Sequence, residues 1–150
     1  MIKQYLIDGN NLIGKMPELW ELQKKDKQSS REKLAYKVDN YFISKSPNAK
    51  IFFDGYGAES IPTSKIRLQY CDKRTADDDI KTEIMRSNNP KLLAVISSDY
   101  SVMQFAQKSS CKVIKSEDFA RQLAGSKKSK TESDAIKSIK NDDIKKLFGV

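Results

Sequence analysis

Tyr5-Leu6-Ile7-Asp8-Gly9-Asn10-Asn11-Leu12-Ile13 is an apolar run that stops on a carboxylate, a glycine and two amides before apolar residues resume. The arrangement recurs in Lys50-Ile51-Phe52-Phe53-Asp54-Gly55 and in Leu92-Leu93-Ala94-Val95-Ile96-Ser97-Ser98-Asp99. Short continuous apolar runs suit strands buried on both faces, as in a parallel sheet. Helical spacing separates them, so the chain is expected to form a three-layer α/β domain with right-handed crossovers and a mostly parallel central sheet of about five strands. Ligands of such sheets bind beyond the carboxyl ends of the strands, where Asp8, Asp54 and Asp99 all fall.

Outward from the first run, residues 2–8 read as a strand and Gly9-Asn10-Asn11 as a tight turn, because Gly and Asn tolerate unusual φ values. Pro17 near the start of 16–23 suits a short helix, with Trp20 expected in the core. Ser29-x-x-Glu32 has capping-box spacing, and Leu34, Val38, Tyr41 and Phe42 step by three and four, which predicts a helix over about 30–45. After the second strand, Gly55 to Ser64 holds too many breakers for a regular element. Residues 65–70 alternate as an edge strand does, and a helix is expected from Ala76 to about Ser87. A helix over about 100–108, a short strand at 112–115 and a helix starting at Ser116 complete a domain over 1–125. Residues 126–150 are expected to be a basic linker followed by an amphipathic helix.

The chain has 150 residues, which allows one sizeable core. Its 28 Lys and Arg against 20 Asp and Glu leave a net charge of +8, which favours polyanionic partners. No apolar run approaches the roughly 20 residues that span a bilayer, so a soluble, cytoplasmic protein is expected. Two cysteines, Cys71 and Cys111, suggest neither a disulfide scaffold nor a Cys metal cluster. Histidine is absent, which excludes imidazole acid/base catalysis, Ser-His-Asp triads and His-ligated zinc.

Carboxylates gathered at one sheet edge repel each other unless they hold protons or a cation. An all-oxygen set suits Mg²⁺ or Mn²⁺, and such an ion makes phosphodiester hydrolysis feasible. Helix phase ranks the three acids of the 76–87 helix. Asp77 shares the face of Ile80 and Ile84 and is assigned to the metal site. Asp78 stands three residues after Thr75 as a capping partner, and Asp79 is expected to face water.

Asp8-Gly9-Asn10-Asn11, strand-ending Asp54, Thr75-Ala76-Asp77 and Ser97-Ser98-Asp99, in this order, resemble the YacP-like NYN-domain family of the PIN-like nucleases. The resemblance implies a PIN-like (Rossmann-like) fold, a Mg²⁺ or Mn²⁺ site, endoribonuclease activity on RNA, mRNA in particular, and the ribosome as a partner. It makes Asp8 the central metal ligand, Asp77 and Asp99 further acidic members, and Asp54 a ligand or a support for one. Asn11 would orient a ligand or the substrate phosphate, while Asp78, Thr75 and Ser98 would hold these groups by hydrogen bonds. Two positions depart from the pattern: Asn10 replaces an aromatic residue, and Lys81 stands where an acid is expected. RNA contacts are assigned to Arg74 and Lys73 beside the acidic motif and to Tyr56 as a base-stacking ring. The charges of Lys24, Lys25, Lys27, Arg31 and Lys33 read as a solvated face.

The competing class is a non-catalytic RNA- or ribosome-binding module with a degenerate acidic site, which Lys81 favours. A haloacid-dehalogenase-type phosphatase is excluded because no second aspartate follows Asp8 by two positions. A dinucleotide-binding dehydrogenase is excluded because no G-x-G-x-x-G follows the first strand.

Overall fold

The structure, a computed structural model, describes residues 1–57 and 60–131, with side chains as far as Gly125. The chain divides into two compact units, Met1–Ala120 and Arg121–Val150. Sheet and site lie in the first.

That unit is built on a five-stranded, wholly parallel sheet in the order β3-β2-β1-β4-β5. The strands are β1 (Gln4–Asp8), β2 (Asn48–Asp54), β3 (Arg67–Cys71), β4 (Leu93–Ile96) and β5 (Lys112–Ile114). The helices are α1 (Gly9–Ile13), α2 (Pro17–Lys25), α3 (Lys27–Phe42), α4 (Ala76–Arg86), α5 (Tyr100–Lys108) and α6 (Ser116–Thr131), with a 3₁₀ turn at Pro90–Leu92. No helix among the described residues is long and apolar enough to cross a membrane.

Alternation along the strands sorts the core into two faces. Leu6, Phe52 and Val95 pack with Ile80 and Ile84 of α4 and with Val102 and Ala106 of α5. On the other face the Tyr5 ring meets Phe42 of α3 at 4.9 Å, and Phe42 stacks on Phe119 at 6.2 Å. Each fully buried Leu, Ile, Val or Phe contributes roughly 1.5–3 kcal/mol of hydrophobic stabilisation. The register pairs Asp8 with Phe52, so Asp8 and, two residues past Phe52, Asp54 turn toward the α4 and α5 face.

Several local expectations change. Gly9-Asn10-Asn11 is the first turn of α1 rather than a reverse turn, with Asp8 in extended conformation as its N-cap. The cap of α3 is Asp26 instead of Ser29: its carboxylate accepts from the Ser29 amide at 3.2 Å and the Ser29 hydroxyl at 2.8 Å, so the helix starts at Lys27. Trp20 is 42 % exposed, and its neighbour Leu19 takes the interior position. Buried Asp39 of α3 accepts three backbone N–H bonds, from Ser64, Lys65 and Ile66, and so fastens the approach to β3. The helix α6 continues through Gly125 to Thr131, so the start of the expected linker is helical. The amphipathic segment expected at 134–148 lies outside the described residues.

Candidate active site at the carboxyl edge of the sheet

Asp8 ends the central strand and is only 7 % exposed. Burial pushes its pKa up to about 6, and the charges of Asp54 and Asp99 add to the rise. The Ser97 hydroxyl, which donates to Asp8 Oδ2 at 3.0 Å, and the nearby Asn11 backbone N–H pull it partly back. Ser97 Oγ also accepts from the Asp99 amide at 3.0 Å, so one buried hydroxyl ties the end of β1 to the start of α5. Asp99 is the N-cap of α5, its Oδ1 accepting from Val102 N at 3.1 Å. Asp54 Oδ1 accepts from Ala76 N at 2.7 Å, which fastens the end of β2 to the first turn of α4. Asp54 and Asp99 lie close enough to Asp8 for the charge of each to oppose its ionisation.

The two amides divide the work. Asn10 Oδ1 accepts from Asp54 N at 2.8 Å, so the departure from the motif is a staple between β1 and β2. Asn11 Oδ1 accepts from Ser98 N at 2.8 Å and from Ser116 Oγ at 2.7 Å, which joins the start of α1 to the segments after β4 and β5. Ser98 accepts from Ser116 N at 2.9 Å and donates to the Glu117 carboxylate, which that bond holds below the usual carboxylate range. Glu117 is an acid of this edge that sequence reasoning treated only as a helix start.

On α4, Thr75 is the N-cap and accepts from Asp78 N at 3.1 Å, and Asp78 is exposed. Asp79 does not face water: its side chain is 13 % exposed, accepts from Gln69 Nε2 at 2.9 Å and pairs with Arg74 Nε at 3.0 Å. Burial opposes its charge, but the Cys71 thiol, Gln69 and Arg74 outweigh it and lower its pKa. Arg74, expected on a phosphate, stays exposed, with its guanidinium paired to Asp79 and donating to Thr82 Oγ1 at 2.7 Å. Asp77, expected among the metal ligands, has its Oδ1 2.9 Å from Lys81 Nζ.

Arg31 is the largest correction. Expected on a solvated face, it is 2 % exposed. Its guanidinium lies 5.1 Å from the Phe53 ring and 5.3 Å from the Tyr70 ring. It donates to the carbonyls of Asp54 and, at 3.0 Å, Tyr56. Burial lowers its pKa. The backbone beyond Asp54 is therefore fixed from beneath, with Gly55 at φ 78° making the bend. Tyr56 is 68 % exposed on this fixed backbone, and Lys73 is exposed nearby in sequence to α4.

Among the described residues, no three Asp, Glu or Cys side chains close around one point as a metal-holding group. The donor chemistry nevertheless fits a hard divalent ion: oxygen ligands only, one of them a buried carboxylate whose ionisation is penalised by two like charges. A cleft of about 360 Å³ lined by Gln4, Lys50, Arg67 and Glu83 sits at the opposite, amino end of the strands.

The wholly parallel five-stranded sheet in the order β3-β2-β1-β4-β5, with helices packed on it, has the PIN-like fold. Residues 5–148 match the model of the YacP-like NYN domain, and the chain belongs to that family. Among solved structures, the chain is similar to Rae1 (YacP) from Bacillus subtilis, with 22 % identity and a TM-score of 0.76 over 88 % of this chain and 79 % of that one. A mutant form of the same protein aligns with 20 % identity and a TM-score of 0.74, covering 88 % and 80 %. At this identity the likeness is one of fold. No curated protein matches the chain.

Proposed function

We propose that the chain is a Mg²⁺- or Mn²⁺-dependent endoribonuclease that hydrolyses RNA phosphodiester bonds at the carboxyl edge of the sheet. The observation that carries this reading is Asp8: a carboxylate buried beside two like charges, with a pKa near 6, is a poor structural residue and a good cation ligand. Asp8, with Asp54 and Asp99, would hold the ion. A bound ion would supply charge for the phosphate and lower the pKa of a water. Asn11 Nδ2 orients the phosphate, Tyr56 offers a ring for a base, Lys73 attracts the backbone, and the net charge of +8 favours RNA. Thr75, Ser98 and Asp78 act on the site through the helix caps and hydrogen bonds they make. The proposed setting is mRNA at the ribosome in the cytoplasm, with catalysis in 1–125 and an accessory role for 126–150.

The test is cleavage of labelled RNA with Mg²⁺ or Mn²⁺, with and without chelator, by wild type and Asp8→Asn. Cleavage that survives both changes would overturn the reading. The second reading, a non-catalytic RNA- or ribosome-binding module, draws on the pairing of Asp77 with Lys81. Ribosome or RNA binding that Asp8→Asn leaves intact, with no cleavage by wild type, would establish it instead.

A further inference from the structure

The amino edge of the sheet carries cations where the carboxyl edge carries carboxylates. Its cleft of about 360 Å³ is lined by Lys50 of β2, by Arg67 of β3 and by Lys65 just before that strand, and Glu83 of α4 is the one acid among the lining residues. Lys50 and Arg67 are register partners on neighbouring strands, which run about 4.8 Å apart. Like charges side by side in a sheet repel, so each calls for an anion.

The chain supplies partners for Lys50 and Lys65 but not for Arg67. Lys50 Nζ is 3.2 Å from Glu83 Oε1 and donates to Gln69 Oε1 at 3.0 Å. Lys65 Nζ donates to the carbonyls of Phe42, at 3.0 Å, and of Lys45, which fix it without cancelling its charge. Arg67 is exposed and, among the described residues, has neither an ion pair nor a hydrogen bond to its side chain. The side-chain amides of Gln4 and Asn48, which line the same cleft, make no hydrogen bond among the described residues either. Three cations against one carboxylate leave two positive charges uncompensated, and a planar guanidinium matches the geometry of a phosphate. The C-terminal turn of α4, which carries Glu83, disfavours an anion on its own side, so the place for one is toward Arg67.

We infer that this cleft is a second contact for nucleic acid: it holds a backbone phosphate of RNA, with Arg67 as the binding residue and Lys50 and Lys65 supplying charge around it. Asp54 lies four residues beyond Lys50 on the same strand, roughly 13 Å away, so the phosphate held here is not the one at the acidic edge. The inference rests on RNA as the ligand in the function proposed above and adds to it a place, remote from the acidic edge, where the chain is gripped.

The experiment measures binding of a labelled, unstructured RNA to the full chain in chelator, so that nothing is cut, over a series of salt concentrations. Wild type is compared with Arg67→Gln, Arg67→Glu and Arg67→Lys, and with Lys25→Gln, which removes an equal charge from exposed α2. Circular dichroism checks that each is folded. Arg67→Gln should weaken binding about 3- to 10-fold and lower the salt slope by about 1, while Arg67→Glu weakens it further. Arg67→Lys should stay within about 3-fold of wild type and Lys25→Gln within about 2-fold, because the first keeps the charge and the second removes one far from the cleft. Arg67→Gln and Arg67→Glu no weaker than Lys25→Gln would overturn the inference, as would a wild type that binds no RNA. Calorimetry with 5′-AMP separates a chain phosphate from a free nucleotide: Arg67-dependent binding of 5′-AMP with no effect of Arg67 on RNA also overturns it. Cleavage by wild type alongside RNA binding indifferent to Arg67 leaves the ribonuclease reading standing and this inference fallen. Arg67-dependent binding without cleavage leaves the reverse.

Discussion

The two flanks of β1 are secured by opposite means. Toward β2, Asn10 holds the Asp54 amide and a buried guanidinium holds the carbonyls of Asp54 and Tyr56. Toward β4, neutral groups do the work: Asn11 gathers Ser98 and Ser116, and Ser97 links Asp8 to Asp99. The first flank places a charge in the interior with rings above it and leaves Arg31 Nε without a hydrogen bond. The second places none, and it alone touches the Asp8 carboxylate. The contrast marks a division: rigidity of the loop that presents Tyr56 comes from the β2 flank, and the hydrogen bond from Ser97 that lowers the Asp8 pKa comes from the β4 flank.

The strongest way to break this division is at its centre. Asp8→Asn should lower RNA cleavage by at least about 100-fold. In the metal-free protein the same change should raise stability at pH 8 by on the order of 2 kcal/mol. The sign follows from a folded pKa of about 6 against an ordinary 3.8: the carboxyl's favourable contribution is complete below about pH 4 and is lost as pH rises through 6. Denaturation at pH 3 and pH 8 should show the advantage of Asp8→Asn only at the higher pH.

On the β2 flank, Arg31→Met should cost about 2 kcal/mol, because two buried carbonyls lose their donor while the interior is relieved of a charge. Limited proteolysis near Gly55 to Gly57 should accelerate in that variant more than elsewhere in the chain. Between the amides, Asn11→Ala should destabilise by about 2 kcal/mol and Asn10→Ala by about 1 kcal/mol, since the first accepts two hydrogen bonds and the second accepts one. Urea midpoints rank them, and equal losses would erase the distinction. The smallest effect belongs to Trp20→Ala on exposed α2, which should weaken folding by less than about 1 kcal/mol and leave cleavage unchanged.

What could be read from the chain follows the range of each signal. Apolar runs ending on Asp8 and Asp54 record burial on both faces of a strand, and Thr75 with Asp78 records a helix cap, both local facts. Helix phase sent Asp77 inward and Asp79 to water, yet the Asp77 side chain is 31 % exposed and that of Asp79 13 %. Asp79 is drawn inward by Gln69 and Cys71 of β3, and the flank against which α4 docks is a tertiary matter. Arg31 was illegible for the same reason: a charge on an amphipathic helix reads as solvent-facing, and nothing near it in sequence announces the rings of Phe53 and Tyr70. Glu117 showed only the acidic first turn of a helix, and its bond with Ser98 joins residues 19 apart in the chain. Asn10 carried no signal beyond turn preference, yet its partner lies 44 residues away.

The central place of β1 has a consequence for how the chain folds. Its first neighbour, β2, follows after one helical layer, but β4, which covers its other edge, is the strand of Leu93–Ile96. Until that segment docks, β1 exposes an unpaired, apolar edge, the kind of surface on which strands of other chains add themselves. Closing so long a loop is slow, and it is also the step that brings Ser97 to Asp8 across 89 residues. The hydrogen bond by which Ser97 holds down the pKa of Asp8 thus forms only once β4 has docked.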